Sequence, residues 1–481
     1  MESNKKNGDL LSFENKDIVF IKPSKATPSI LLSLSSIDNY MMGFFAQSLY
    51  VYRSLLENPN SPADADGNAT NTINPTTKRD PAKVITKALS KALFYYYPLA
   101  GKLVKHGDGK LRINCTSDGV PFQEVICNCN LSSLNYLDND DVEIAKHFGI
   151  DFPFEDEHGN QYLMALKLTK FLCGGFICAW GVNHAVIDGT GKVQFLVALS
   201  ELAAGESEPS VKPVWERERL VGKITSHPLQ NPIHNAAVSP LMPTTDLSHA
   251  CFRVNKESIA SLKRSLVKDI DHSSVALKKT FTTFECLAAY IWRARARALK
   301  LNEDGETMLL IIVGLRPRLE DPLPSGYYGN GVIDAYVKLT VKQLNEQPLF
   351  EVVKRIRDVL IASSSNDYIT NYIDTIETKP LIWDFDYEKG GITVLTDWRN
   401  LGCFEKIDFG WKEAVNMVPV PCKVGVEDMY DIMPPTKLDP SMSAGLRFFT
   451  SLPPAAMPKF KEEMKLLMSN NVPTIKFQSY L

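Results

Sequence analysis

A histidine followed four residues later by an aspartate is the arrangement in this chain best suited to proton transfer. His184 stands at the end of an apolar run, and Asp188 precedes Gly189, where a helical pattern begins. Imidazole titrates near neutral pH, so in a cleft it could take a proton from an incoming hydroxyl and return it to a leaving group. For this motif alone, the other interpretation is a buried histidine bonded to a backbone carbonyl.

A second cluster of polar and aromatic side chains lies nearer the end of the chain. Residues 408–411 read Asp-Phe-Gly-Trp, and residues 396–400 read Thr-Asp-Trp-Arg-Asn. Alone, these segments are typical of an aromatic turn that packs on the core. Their occurrence together with the histidine and aspartate motif favours a functional site.

Three other chemistries lack the residues that they need. Residues 189–192 read Gly-Thr-Gly-Lys, but the first glycine of a phosphate-binding loop is missing, and Val193 replaces its serine or threonine. The chain has no GxSxG and no HExxH motif, so a serine esterase would lack its nucleophile and a zinc peptidase its ligands. The eight histidines show no paired metal-ligand spacing, and we therefore expect no metal site.

Three elements must position these residues in the first half of the chain. Apolar residues at helical spacing predict a helix over Pro81–Phe94, with Asp80 as its N-cap. The run Phe171–Val182 predicts one buried strand that contains two glycines and leads into His184. The pattern over Gly189–Ala204 predicts a helix that is apolar nearly all round and therefore buried on most sides.

The elements of the second half follow a long connection. Residues 205–248 contain six prolines and little periodicity, so we place the crossover between the halves there. Beyond it, the spacing predicts helices over Ser258–Val267 and Thr280–Lys300 and a strand over Met308–Val313. Because helices and strands alternate in both halves, α/β layers are the expected architecture.

Composition limits the possible partners and compartments. With 53 basic and 56 acidic residues the formal net charge is -3, so no positive field attracts nucleic acid or an anionic membrane. No apolar run approaches the ~20 residues of a membrane span, and residues 1–16 are too polar for a signal peptide. The nine cysteines form no CxxC pair and are expected to be reduced, which favours a soluble, cytoplasmic protein. Residues 57–80 are rich in Asn, Pro, Thr and Asp, and we expect a mobile loop there.

Together, these motifs resemble those of the BAHD acyltransferases, a plant family that uses acyl-CoA donors and carries HxxxDG followed by DFGWG. Shorter segments typical of the family lie at residues 97–103, 202–206, 283–285 and 322–330, so the resemblance covers nearly the whole chain. The segments 171–176, 327–330 and 397–399 look most similar to taxane-type alcohol acyltransferases. The resemblance therefore implies an O-acyltransferase that moves an acetyl or aromatic acyl group to a hydroxyl of a plant specialised metabolite.

For the fold, the resemblance implies an α/β architecture with two similar-sized domains. Each domain would be a mixed β-sheet flanked by helices, with a tunnel at the domain interface. Residues 1–215 would form the domain that carries HxxxD, residues 216–248 a crossover loop, and residues 249–481 the domain that carries DFGW. The enzyme would be a monomer that binds acyl-CoA as a co-substrate and a small-molecule alcohol or amine, with no permanently bound cofactor.

The resemblance also implies the residues that carry the reaction. His184 would act as the general base, and no acyl-enzyme would form. The indole N–H of Trp411, with help from Thr396, would stabilise the tetrahedral oxyanion, a contribution that is typically worth ~100-fold or more in rate. Three residues would contact coenzyme A: Thr282, Thr283 and Lys263.

Other residues would support the site through its geometry. Asp188 would pair with Arg316 instead of the histidine ring. Three further residues would be structural: Gly189, Asp408 and Gly410. The chain departs from the family pattern at Lys412, which replaces the last glycine of DFGWG and would strain a turn that needs glycine. Two alternatives stay open, which are amide formation on an amine and a family member that only binds a metabolite.

Overall fold

The computed structural model describes most of the chain. The described residues are 11–41, 44–54, 79–140, 142–229, 233–268, 281–379, 389–404, 407–412, 414–421 and 429–469. The loop predicted at 57–80 lies outside them apart from its last two residues, and so do Cys422 and the first ten residues. The other eight cysteines are free thiols.

A seven-stranded mixed sheet is built mainly from the first half of the chain. Its strands are β1 (Phe13–Asn15), β2 (Val19–Ile21), β4 (Phe45–Tyr52), β7 (Val120–Cys127), β9 (Met164–Phe171), β10 (Phe176–Asn183) and β15 (Asn416–Val420). The order is β1-β7-β9-β10-β4-β15, and β2 also pairs with β7. Since β15 comes from the second half and pairs antiparallel with β4, one strand of the second half extends the sheet of the first.

A six-stranded sheet belongs entirely to the second half. Its strands are β11 (Ser248–Val254), β12 (Glu306–Gly314), β13 (Val332–Thr340), β14 (Ile392–Asp397), β16 (Met429–Met433) and β17 (Leu446–Leu452), in the order β11-β17-β16-β14-β12-β13. A smaller sheet has the order β3-β6-β5-β8, formed by β3 (Leu31–Ser33), β5 (Lys102–Lys105), β6 (Leu111–Asn114) and β8 (Gln161–Tyr162). The predicted α/β architecture of mixed sheets flanked by helices is confirmed.

The α-helices flank these sheets. They span Ser36–Tyr40, Pro81–Tyr95, Gly189–Ala204, Lys256–Lys268, Thr283–Ala298, Val341–Glu346, Leu349–Ala362, Asn366–Thr378 and Met457–Met468. Short 3-10 helices span Tyr97–Ala100, Leu131–Leu137, Glu143–Phe148, Arg217–Leu220, Arg316–Arg318 and Pro440–Met442. The four predicted helices are present, and Asp80 caps its helix by accepting a hydrogen bond from Ala82 N at 3.1 Å.

The single strand predicted over Phe171–Val182 is wrong, because the chain reverses within it. β9 ends at Phe171, the chain turns through residues 172–175, and β10 starts at Phe176. Gly174 lies in the turn with a φ of 84°, a conformation that glycine adopts readily. The predicted run joins Phe171, the last residue of β9, to the apolar turn residues Leu172 and Cys173 and to the fully buried β10, so hydrophobicity does not mark the turn.

Two large hydrophobic cores hold the layers together. In the first core, the helices Pro81–Tyr95 and Gly189–Ala204 contribute apolar residues beside those of the seven-stranded sheet. In the second, Thr283–Ala298 and Leu349–Ala362 do so beside the six-stranded sheet. The short helix Ser36–Tyr40 of the first half also joins the second core. The division of the chain into domains at residues 215 and 248 stays a prediction.

Candidate active site

A cavity of about 310 Å³ lies between the two large sheets. Strands β4 and β15 line one side of it, and strands β12, β13, β14, β16 and β17 line the other. The histidine and aspartate motif, at the end of β10, also lines this cavity. The fold therefore brings the predicted base to a cleft that both halves of the chain form.

His184 is held by its backbone and by ring stacking. Its N–H donates to Phe44 O at 2.8 Å, and its carbonyl oxygen accepts from Asn330 Nδ2 at 2.7 Å. The imidazole stacks on the Phe44 ring at 4.7 Å between centroids. Among the described residues, its Nδ1 atom has no hydrogen-bond partner. The ring is thus held in place, while its Nδ1 atom forms no hydrogen bond to another described residue.

The surroundings of His184 favour its neutral form. Burial lowers the pKa of the imidazole below its ordinary value of 6.5, and the charge of Asp188 and the amide of Asn330 offset this only in part. A histidine with a lowered pKa is unprotonated at neutral pH. It can therefore accept a proton from a nucleophile in the cavity.

Asp188 supports the loop and does not bond to the His184 ring. Its carboxylate accepts two hydrogen bonds from Arg316, at 2.7 and 3.0 Å, as the sequence predicted. It also accepts from the backbone N–H groups of Gly191 and Gly331, at 2.8 and 2.9 Å. Burial acts to raise the pKa of Asp188, but the Arg316 charge and these four bonds hold it below its usual range.

A second buried network stands behind His184, and sequence reasoning missed its centre. Asp38 Oδ1 accepts from the backbone N–H and the side-chain Nδ2 of Asn330, at 3.1 and 2.7 Å. The Asp38 carboxylate also pairs with Arg217 at 3.3 Å, and both side chains are fully buried. The available signal was Ser35, whose hydroxyl caps the helix that carries Asp38, since Ser-x-x-Asp is a recognisable cap.

The structure does not bring Trp411 together with His184. The Trp411 ring packs edge-on against Phe176 at 5.2 Å, at the opposite end of β10, and it is not among the residues that line the cavity. Its face is covered by Arg79. Thr396, by contrast, lines the cavity from β14. The indole expected to donate to the reaction centre therefore belongs to the core of the seven-stranded sheet.

Trp398 is the indole that reaches the cavity. It lines the same cavity as His184, and its buried Nε1 has no hydrogen-bond partner among the described residues. Gly189 packs close to this part of the wall: a Cβ added there would lie 3.9 Å from the Trp398 ring and 2.8 Å from the end of the Leu401 side chain, which would have to shift. The sequence placed Trp398 in the right segment, but nothing in its residue type separates it from Trp411.

The turn at residues 408–412 is shaped by a local hydrogen bond and by two residues with positive φ. Asp408 is exposed, and its Oδ1 accepts from Gly410 N at 2.7 Å. Gly410 and Lys412 both have positive φ, of 94° and 66°. Lysine thus adopts the left-handed conformation that glycine would take without strain.

The residues predicted to contact coenzyme A lie outside this cavity. Thr282 caps the helix Thr283–Ala298, its hydroxyl accepting from Glu285 N at 3.2 Å. Lys263 lies on the helix Lys256–Lys268, which packs against that helix. Thr282, Thr283 and Lys263 are all absent from the cavity lining. Their role as coenzyme A contacts stays a prediction.

The cavity also contains a buried lysine that the sequence did not single out as functional. Lys192 lines the cavity, and its Nζ donates to Ser48 Oγ at 2.5 Å and to Trp180 O at 3.4 Å. Burial lowers the pKa of Lys192 to about 8. Among the described residues, no salt bridge to a carboxylate compensates this ammonium.

The described part of the chain shows neither a metal-binding cluster nor a membrane-spanning helix. No cluster of three or more histidine, cysteine, aspartate or glutamate side chains in that part of the chain is arranged to hold a metal ion. The described helices are all too short or too polar to cross a membrane.

Comparison with known proteins identifies relatives along the whole chain. The Transferase family model matches residues 68–467. The chain is 39% identical to spermidine coumaroyl-CoA acyltransferase of Arabidopsis thaliana, over 94% of this chain and 95% of the relative. It is 30% identical to taxadien-5-alpha-ol O-acetyltransferase of Taxus chinensis, over 94% and 96%. The solved structure of vinorine synthase has a similar fold, with a TM-score of 0.68 at 18% identity, covering 95% of this chain and 98% of that one.

Proposed function

The chain belongs to the Transferase family, the BAHD acyl-CoA-dependent acyltransferases, and from this premise we propose that it acylates an amine nitrogen of an aliphatic acceptor. Acyl-CoA is the co-substrate, and a small molecule is the acceptor. The observation that carries the proposal is His184, an imidazole kept neutral by burial on the wall of a cavity between two sheets.

In the proposed reaction, the attacking nitrogen is the neutral amine with its lone pair available, and His184 removes one of its protons as it attacks the thioester carbon. The carbonyl oxygen becomes an oxyanion in a tetrahedral intermediate. When this intermediate collapses, the carbon–sulfur bond breaks, and the histidine returns the proton to the coenzyme A thiolate. No side chain forms a covalent bond with the acyl group. Asp188 and Arg316 act by fixing the loop that carries the histidine.

We assign the oxyanion contacts to Trp398 and Thr396. Both line the cavity with His184, and the Trp398 N–H has no other partner among the described residues. A donor that is already oriented in an apolar cavity stabilises a developing charge without reorganising. This assignment keeps Thr396 from the sequence-based hypothesis and replaces the Trp411 indole with that of Trp398.

Two observations support an amine acceptor. The first is the relative named for spermidine, which is 39% identical over nearly the full length. The second is the pair of cavity carboxylates that have no basic partner among the described residues, Asp334 and Asp431, since Asp188 and Asp397 are paired with arginines. A carboxylate without a bound cation attracts a cationic amine and does not attract a neutral alcohol. A hydroxyl acceptor is the second candidate, favoured by the more distant Taxus relative named for O-acetylation.

Product analysis with competing acceptors tests the proposal. The purified protein is incubated with coumaroyl-CoA or acetyl-CoA and with spermidine, an aliphatic amino alcohol or a terpenoid alcohol. Free thiol is followed over time, and products are identified by mass spectrometry. We expect amides of spermidine and of the amino alcohol. Esters alone would move the assignment to O-acylation, and no thiol release with any pair would contradict both candidates.

We extend the proposal to the binding of coenzyme A and to the compartment. Thr282 and Thr283 stand at the start of the helix Thr283–Ala298, and Lys263 lies on the helix Lys256–Lys268 that packs against it; we propose that the three contact the coenzyme outside the cavity. We place the enzyme in the cytoplasm because its eight described cysteines are free, as in a reducing compartment.

A further inference from the structure

A row of four residues crosses the floor of the cavity on the six-stranded sheet. Asp334 on β13 pairs with Ile312 on β12, and Thr396 on β14 pairs with Asp431 on β16. Continuing the parallel register of β12 and β14 by one residue places Ile312 beside Thr396. All four residues line the cavity. Because adjacent strands lie roughly 4.8 Å apart, the two aspartates are separated by roughly 14 Å, with Thr396 one strand from Asp431.

The carboxylates around the cavity differ in what they bind. Asp188 and Asp397 form ion pairs with arginines. Asp334 accepts hydrogen bonds from three tyrosine hydroxyls, those of Tyr40, Tyr336 and Tyr372. The side chain of Asp431 has no hydrogen bond and no ion pair with any described residue. It is therefore the cavity carboxylate left open to a ligand.

The environment of Asp431 contains no described cation that would balance its carboxylate charge. Burial raises the pKa of Asp431 to about 7, and no nearby positive charge offsets the effect. A buried carboxylate is stable when it is paired, and the natural partner for one that faces a substrate cavity is an ammonium group of the substrate. A neutral alcohol could accept or donate one hydrogen bond there, but it would leave the charge uncompensated.

We propose that Asp431 binds a second ammonium group of a polyamine acceptor while another nitrogen of the same molecule is acylated beside His184. The inference rests on the proposed amine acylation and adds the class of amine and the residue that recognises it. Thr396, assigned to the oxyanion, neighbours Asp431 across one strand spacing. An unbranched amine whose nitrogens are a few methylenes apart can span this gap, and its methylenes suit the apolar walls given by Met417, Met433 and Phe449.

The proposal predicts a specific change in recognition. Asp431→Asn keeps the shape of the side chain and removes its charge. We expect the KM for spermidine to rise by about tenfold or more, because removing one partner of a desolvated charge pair weakens binding strongly. The kcat at saturating spermidine should change much less, because the reacting groups are untouched. Asp431→Glu should recover part of the affinity.

A surface variant provides the matched control. Asp358→Asn removes the same charge from an exposed position on the helix Leu349–Ala362 and should leave the KM unchanged. If wild-type protein acylates spermidine and Asp431→Asn has a KM within about twofold of wild type, the inference is overturned while the amine acylation stands. If wild-type protein acylates no amine, the proposed function itself fails.

Discrimination by the wild-type protein gives a test that does not depend on the variants. The kcat/KM for spermidine is compared with that for aminobutane, which keeps the four-carbon segment of spermidine but has only one nitrogen. We expect a preference for spermidine of about tenfold or more. The single nitrogen of aminobutane cannot be acylated and at the same time pair with Asp431. Equal values would overturn the inference, even if Asp431→Asn failed to fold.

Discussion

His184 shows how far residue type alone can lead. Its spacing from Asp188 left a general base and a buried structural histidine both open, and the resemblance to the BAHD family selected the base; the structure places the imidazole on the cavity wall. The stacked Phe44 ring and the Asn330 amide could not be inferred, because they come from segments 140 and 146 residues away. The sequence alone therefore does not show which residues surround the imidazole and set its pKa.

The pH dependence of turnover should reflect that neighbourhood. Burial lowers the pKa of His184, and the charges of Asp188 and Asp38 only partly restore it. The base form therefore persists below pH 6.5, so kcat at saturating substrates should stay level from pH 7.5 to about 6.5 and fall at lower pH. The kcat profile is the measurement, because it reports groups in the complex with substrates. An acidic limb centred above pH 6.5 would argue against a buried, neutral histidine as the base.

One substitution at each position distinguishes the roles of the Trp398 and Trp411 indoles. Trp398→Phe keeps an aromatic ring in the cavity wall and removes the N–H donor, so kcat should fall by about 100-fold. Trp411→Phe should leave kcat close to wild type, because that ring only packs in the core. Steady-state kinetics on both variants decide the matter. A large loss with Trp411→Phe and none with Trp398→Phe would restore the sequence-based assignment.

Among the elements, the loop between β10 and the helix Gly189–Ala204 depends on one carboxylate. Asp188 caps the helix through Gly191 and ties it to Arg316 on the second half of the chain. The sequence predicted this helix to the residue because Asp188 and Gly189 mark its start. It missed the turn before β10, because Leu172 and Cys173 in the turn are as apolar as the strand that follows.

Asp188→Ala should destabilise the fold as well as reduce activity. Removing the carboxylate leaves the Arg316 charge partly buried and takes away the helix cap, which together should lower the free energy of unfolding by ~3–5 kcal/mol. Urea unfolding measures this value. The control is Asp397→Ala, which breaks a more exposed pair with Arg399 and should cost about 1 kcal/mol or less. Equal losses in the two variants would contradict the clamp.

The turn after Trp411 carries a strained residue. Lys412 has a φ of 66°, so Lys412→Gly should remove left-handed strain and raise the free energy of unfolding by about 1 kcal/mol, with kcat unchanged. Lys461→Gly, at an exposed position inside the helix Met457–Met468, should instead lower it by about 1 kcal/mol. Chemical unfolding of both variants checks the difference in sign. A loss of stability with Lys412→Gly would show that its side chain makes a stabilising contact.

At the scale of the whole molecule, the proposed reaction site lies in a cavity that residues of both halves line. β15 crosses to the sheet of the first half, and the helix Ser36–Tyr40 joins the core of the second. The sequence predicted the α/β class and the first-half elements because periodicity and caps are local. It could not predict the row from Asp334 to Asp431, which depends on a register among four strands whose row residues lie up to 119 positions apart along the chain, from Ile312 to Asp431.

The measurement that tests the central claim most directly compares wild-type protein with His184→Ala for acyl transfer from coumaroyl-CoA to spermidine. We predict an amide product from the wild type and a rate lower by ~100-fold or more in the variant, with the same melting temperature. His158→Ala, which alters an exposed histidine, should behave as wild type. A variant that keeps more than about a tenth of the wild-type rate would contradict His184 as the base, and a wild-type enzyme that forms no amide would contradict the proposed function.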